Sequence, residues 1–339
     1  MRRDTLAFAA PGGPRTVRRT FASAASRSPR TVRRALRTAL VGTLTAAGLL
    51  AGCGLGPGSA PTGVRLTVSS EFGARVLRQL SAPRVRGRET VISLLLRNNA
   101  VKTRYGGGFV QSIDGRAGGQ SAGQPIDWFY YVNGVEAPKG AADTVVHGGD
   151  RIWWDLHDWS QTQDIPAVVG SFPEPFVHGV AGKRLPVRVE CADVQGEPCR
   201  TVTARLRAFG VPAAISTIAP GEEPSTLRVL VGPWPTLAGD PAAQGIGRGP
   251  AASGVYARPS ADGTTLSLLN ADGTVVRTLT AGAGLIAATR YAQSAPVWVL
   301  TGTDSAGLAR AAKAFDPATL RNRFAVALAP SGEALAVPR

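Results

Sequence analysis

Cysteine, histidine and lysine are scarce in this chain, and it has no long apolar run. Three histidines, His147, His157 and His178, leave a Ser-His-Asp site without support. The Gly-Thr-Asp-Ser-Ala-Gly run over 302–307 lacks the glycine two places before Ser305 that a nucleophile elbow requires. The 179–184 run (GVAGKR) is not a phosphate loop, because Val177 stands where the first glycine belongs and Arg184 replaces Ser or Thr. Asp155, His157, Asp158, Asp164, Glu174 and His178 are spaced too loosely for a metal centre and read as solvated polar residues. Lysine occurs only at 102, 139, 183 and 313, so the formal charge of +15 is carried by arginine. Ten arginines and one aspartate fall within residues 1–37, which leaves +6 spread thinly over the remainder. That dispersion, with no basic helix or Arg-aromatic ladder, argues against nucleic-acid binding.

The uncharged run 38–52 is shorter than the ~20 apolar residues a membrane-spanning helix needs. Arginines 33, 34 and 37 precede it and small residues end it, which is the pattern of a secretory signal over 1–52. The charged part is longer than such a signal needs, and a start at a non-Met codon at Val32 would give a compact one. The closing Leu50-Ala51-Gly52-Cys53 resembles the lipobox of bacterial lipoproteins. The resemblance implies a lipid (diacylglyceryl, with palmitate) on Cys53, a tether over 53–62 and attachment to the extracytoplasmic face of the cell membrane. With Cys53 set aside, Cys191 and Cys199 remain, eight positions apart. In an oxidising compartment they are expected to form a local disulfide. A metal site would need more ligands than this segment offers.

The densest pattern lies between Tyr105 and Trp159. Residues 128–132 (WFYYV) read as a strand, and Asn133-Gly134 supplies the positive φ angles of a tight hairpin turn. A second aromatic strand, 151–156 (RIWWDL), follows Gly148-Gly149-Asp150. Upstream, Val64, Leu66 and Val68 alternate with polar residues in a half-buried strand, and 74–80 is its hairpin partner. In VISLLLRNN, Val91, Leu94 and Leu95 share a helical face behind an N-capping Thr90. Strand, strand, helix and further strands over 63–162 predict a β-grasp (ubiquitin-like) domain in which a mixed sheet grips one helix.

The helix segment, the Gly108-Phe109-Val110 and Ile113-Asp114-Gly115 runs, Trp128 to Gly134 and Gly149-Asp150 with Trp154 together resemble the transcobalamin-like C-terminal domain, a β-grasp family common in exported bacterial proteins. In vitamin B12 carriers that domain closes over the corrinoid from one side, so the resemblance implies a cobalamin-like ligand. The α/α toroid that holds the other side has no counterpart here.

Trp128, Tyr130 and Val132 point to one side of their strand, Phe129 and Tyr131 to the other. Ile152, Trp154 and Leu156 likewise oppose Trp153, Asp155 and His157. One side must pack on the helix. The other is left open, to meet either a ligand or partner or the second domain. The candidate binding residues are therefore Trp128, Tyr130, Tyr131, Asn133, Trp153 and Trp154.

A Pro/Gly-rich linker is expected over 163–185 and a mixed α/β domain over 186–330. The latter is read as strands over 187–191, 201–209, 227–231, 255–258, 265–269, 275–279, 286–290, 297–300 and 324–328, with one helix capped by Asp304. The fold class is thus α+β, and the expected role is that of a non-enzymatic, lipid-anchored binding or accessory protein that caps a small ligand or its carrier. An envelope module for another protein or a cell-wall polymer, and a hydrolase with its site in the C-terminal domain, are the alternatives.

Overall fold

The computed structural model describes residues 59–339 apart from 220 and 222, so the expected signal, Cys53 and the first part of the expected tether, 53–58, lie outside the described residues. The described residues form one compact unit. Its chain order begins with a hairpin, β1 (Arg65–Ser70) and β2 (Arg75–Leu80), and a helix, α1 (Val91–Asn98). Thr90 Oγ1 caps α1 by accepting from the Ser93 amide at 3.3 Å. A small antiparallel sheet follows, made of β3 (Val101–Arg104), β4 (Phe109–Ile113) and β5 (Arg116–Ala117). Next come β6 (Gly119–Ser121), β7 (Gln124–Val132), the short β8 (Val135–Glu136) and β9 (Arg151–Asp158). The main sheet of this half runs β2-β1-β9-β7-β6, with β8 paired to β7. Its centre is the parallel pair β1–β9, and β7 runs antiparallel beside β9 with Tyr130 opposite Trp154 and Phe129 opposite Asp155.

Side-chain alternation assigns the two faces as the sequence predicts. Leu66, Val68, Trp128, Ile152 and Trp154 pack with Val91, Leu94 and Leu95 of α1 in one apolar core. The opposite face is not open. Phe72, Tyr131 and Trp153 join a second core made mostly of later residues, including Leu230, Trp234, Tyr256 and Phe324. The second half of the chain covers this face, because a sheet side carrying Trp, Tyr and Phe is stabilised by leaving water whatever surface is nearest.

The 163–185 segment is also not a solvated linker. Ile165, Ala167, Val168, Val169, Phe172 and Phe176 are buried, and the Phe172 ring lies 4.5 Å from Phe315 and 5.9 Å from Trp298. Its prolines and glycines mark turns, while the apolar residues between them enter the core.

The second half contains β10 (Val187–Cys191), α2 (Glu197–Ala208), β11 (Ala213–Thr217), β12 (Leu227–Val231), α3 (Trp234–Leu237), α4 (Pro241–Arg248) and α5 (Pro250–Ser253). There follow β13 (Ala257–Pro259), β14 (Leu266–Leu269), β15 (Val275–Leu279), β16 (Gly284–Thr289), β17 (Val297–Gly302), α6 (Ser305–Lys313), α7 (Pro317–Leu320), β18 (Ala325–Leu328) and β19 (Ala334–Val337). Seven strands form the sheet β11-β10-β12-β17-β16-β18-β19, parallel from β11 to β17 and antiparallel beyond; β13-β14-β15 is a separate antiparallel sheet. The strand expected over 201–209 is the helix α2. Cys199, Val202, Thr203 and Leu206 are its buried residues and share one helical face, a period that the coincident alternation of Val202, Ala204, Leu206 and Ala208 conceals. The expected disulfide is present: Cys191 and Cys199, with Cα atoms 5.9 Å apart, tie β10 to the first turn of α2.

Candidate functional site

The covered face of the first sheet ends in a polar constellation. Glu71, Phe72 and Gly73, at the β1–β2 turn, all have positive φ (61°, 55° and 82°). This turn directs successive amides at the Asp155 carboxylate: Phe72 N donates to Oδ1 at 3.0 Å and Gly73 N to Oδ2 at 2.9 Å. Ser69 Oγ donates to Oδ2 at 2.5 Å and itself accepts from Trp153 Nε1 at 2.6 Å. His157 Nδ1 completes the set, 3.0 Å from Asp155 Oδ1. Four donors thus hold one fully buried carboxylate.

Because its partner is a carboxylate, Nδ1 is the donor in this contact. The imidazole is stacked between Phe72 and Phe129, with centroids 4.7 and 4.5 Å away, and meets the edge of Phe324 at 5.3 Å. Nε2 is buried and has no hydrogen-bond partner. His157 also lines a cleft of about 680 Å³, together with Leu156 and Asp158 of β9, Glu71 and Phe72 of the turn, Arg116, Gln124 and Ile126 of the first half, and Ala271 and Pro338 of the second. Such a volume suits a small-molecule ligand. Chemically, Nε2 is the ring atom left over for a further hydrogen bond. Among the described residues no group of three or more His, Cys, Asp or Glu side chains gathers as a metal site.

None of the six residues expected to bind a ligand lines this cleft. Trp128 is buried on the α1 side and donates from Nε1 to the Arg116 carbonyl at 3.0 Å. Tyr130, half-buried, stacks on buried Trp154 at 4.9 Å, and its hydroxyl meets Thr144 Oγ1 at 2.9 Å and the Lys139 carbonyl. Tyr131 and Trp153 face the second half and pack on Phe324 at 5.5 and 5.2 Å. Asn133, fully buried at φ 55°, donates to Asp150 Oδ1 at 2.8 Å and to the Gly179 carbonyl at 2.9 Å, and accepts from Arg151 N at 2.9 Å. It fastens the hairpin turn to the 163–185 segment at Gly179.

Asp155, His157 and Glu174 are not solvated. Each is buried, and Glu174 accepts from the His178 amide at 2.8 Å and contacts its Nδ1 at 2.6 Å. The available signal was a carboxylate two residues beyond Trp153 on the same strand face, where water is excluded. Nothing in the sequence marks Ser69 or Phe72 as its partners. Burial also raises the Tyr131 and Tyr256 hydroxyls well above the usual tyrosine range, and both lie at this junction without a partner.

Comparison with known proteins finds a family model that is similar to part of this region. Residues 88–158 match the model of a family described as a domain of unknown function (DUF4430), within the stretch that resembles the transcobalamin-like domain. No curated protein matches the chain. One solved structure, a protein of Ruminococcus gnavus described as a "putative metal binding protein", is 14% identical and covers 29% of this chain and 97% of its own length, with a TM-score of 0.23.

Proposed function

We propose that the protein is an exported, lipid-anchored binding or accessory protein and that the His157 cleft is its small-molecule site. In this reading the first half is a β-grasp module whose end, rather than its aromatic face, meets the ligand. One observation carries the proposal: a buried imidazole, fixed at Nδ1 by Asp155 and without a partner at Nε2, in the wall of a cleft of ligand size. An unsatisfied buried polar atom costs about 1–3 kcal/mol, which a ligand hydrogen-bonding to Nε2 would offset. The ligand class is an amphipathic molecule with an N–H or O–H group beside an apolar body. A corrinoid is larger than the cleft and would rest across its mouth.

The test is tryptophan fluorescence of the purified protein, titrated with cobalamin and separately with cell-wall fragments. Trp153 is joined to His157 through Ser69 and Asp155, so it reports on the site. Saturable quenching that weakens about tenfold or more in His157→Leu, with the far-UV spectrum unchanged, supports the cleft. Quenching of equal strength in the variant rejects His157 as the anchor, and quenching by neither ligand favours a protein partner.

A further inference from the structure

The same covered face opens at its other end into a second cavity of about 320 Å³. Three arginines line it. Arg65 on β1 and Arg151 on β9 are register partners on adjacent parallel strands, so their side chains leave the same face side by side. Arg321 reaches the cavity from the turn after α7, which is brought over the sheet at Gly170: a Cβ there would stand 2.6 Å from the Trp153 ring and 2.7 Å from the Arg323 amide. Thr67, Gln79 and Ser81 add hydroxyl and amide groups to the wall.

Like charges on directly neighbouring strands destabilise a sheet, yet no ion pair among the described residues involves Arg65, Arg151 or Arg321. Arg151 is oriented by two hydrogen bonds from Nη1, to the Ser171 carbonyl at 3.1 Å and the Phe172 carbonyl at 2.7 Å. Its guanidinium is pushed below the usual arginine range by burial and then by Arg65 and Arg321, while Glu174 opposes the shift. Glu174, the carboxylate that opposes this shift, is already engaged by the His178 ring and amide.

We propose that this cavity is a binding site for a phosphate group, held by Arg65, Arg151 and Arg321. A carboxylate is satisfied by one guanidinium fork, whereas a phosphate presents enough oxygens and charge for three. The volume admits a phosphate with a small substituent. The site is separate from the His157 cleft and stands whether or not that cleft takes a ligand.

The test is calorimetric titration of the full chain with inorganic phosphate at low salt, with chloride at matched ionic strength as control. Arg65→Gln, Arg321→Gln and the double variant are compared with the original, because both residues are exposed and make no ion pair. Phosphate is expected to bind and chloride not, with a loss of about five- to tenfold for each arginine removed. Arg65→Lys should lose less than Arg65→Gln. In phosphate-free buffer the double variant should melt no lower than the original, since removing a like charge relieves repulsion. Phosphate affinity unchanged in the double variant, or no binding beyond that of chloride, overturns the proposal. With the anchor removed by Cys53→Ser in every sample, flotation with phosphatidylglycerol vesicles but not phosphatidylcholine vesicles, lost in the double variant, assigns the phosphate to a lipid headgroup. Phosphate binding without such flotation assigns it to a soluble phosphate compound.

Discussion

Glu136 gives the sharpest test of the electrostatics. It sits at the end of β8, half-buried, with its amide donating to the Pro166 carbonyl at 3.2 Å. Burial pushes its carboxyl from the ordinary 4.5 up to about 7; Asp164 adds to the rise, while Arg290 and the Ile165 amide oppose it. An acid whose pKa is higher folded than unfolded favours folding in its protonated form. That contribution is complete below about pH 4.5 and is lost as pH rises through about 7. At 1.36 kcal/mol per pH unit the rise corresponds to about 3 kcal/mol, and partial exposure of the side chain reduces this to about 2. Urea unfolding at intervals from pH 4.5 to 8.5 should show Glu136→Gln gaining on the original protein by about 2 kcal/mol across that range. The difference isolates this carboxyl from other groups that titrate over the same interval. Two profiles that stay parallel would refute the reasoning, because Glu136 would then have the same proton affinity in both states.

Asp155→Ala should cost about 3–5 kcal/mol by chemical denaturation, since four donors lose their acceptor in a buried site; a loss below 1 kcal/mol would show that water replaces the carboxylate. Arg228 is buried between Glu190, with Nη2 to Oε2 at 2.8 Å, and Asp240, with Nη1 to Oδ2 at 2.7 Å. Arg228→Leu should therefore cost about 3–5 kcal/mol, and adding Glu190→Gln and Asp240→Asn should recover most of it. Equal stabilities of the single and triple variants would show that the charges are not the cause. Palmitate labelling in a bacterial host should vanish in Cys53→Ser, and persistent labelling would remove the proposed anchor.

The first half was legible because its signals are local. The period-2 alternation around Trp128 and Trp154, the Asn133-Gly134 turn and the Thr90 cap each act within a few residues, and each element stands where the pattern placed it. The second half was read less well. The alternation in TVTARLRAF fits a strand and a helix equally, and what decides is the Cys191–Cys199 bond together with the face that Val202 and Leu206 bury. The candidate site was largely hidden for a related reason. The Asp155 cage draws on Ser69, Phe72 and Gly73, more than eighty positions away in the chain, and pairing at that separation leaves no trace in local spacing. Aromatic density marks the centre of the molecule, where the rings are taken up by the two cores. The same rings that suggest contact with a ligand are as readily consumed by contact with the rest of the chain.

The crossing segment between residues 163 and 185 has a practical consequence. It looks like the natural place to divide the gene, yet Val168 N donates to the Gly134 carbonyl at 2.8 Å and Val169 N to the Phe324 carbonyl at 3.1 Å, stitching one half to the other. A fragment stopped at residue 162 would carry Tyr131, Trp153 and Phe72 into water with nothing above them. Shortened clones of either half are therefore expected to collect in inclusion bodies, whereas one that begins at residue 59 keeps every contact described here.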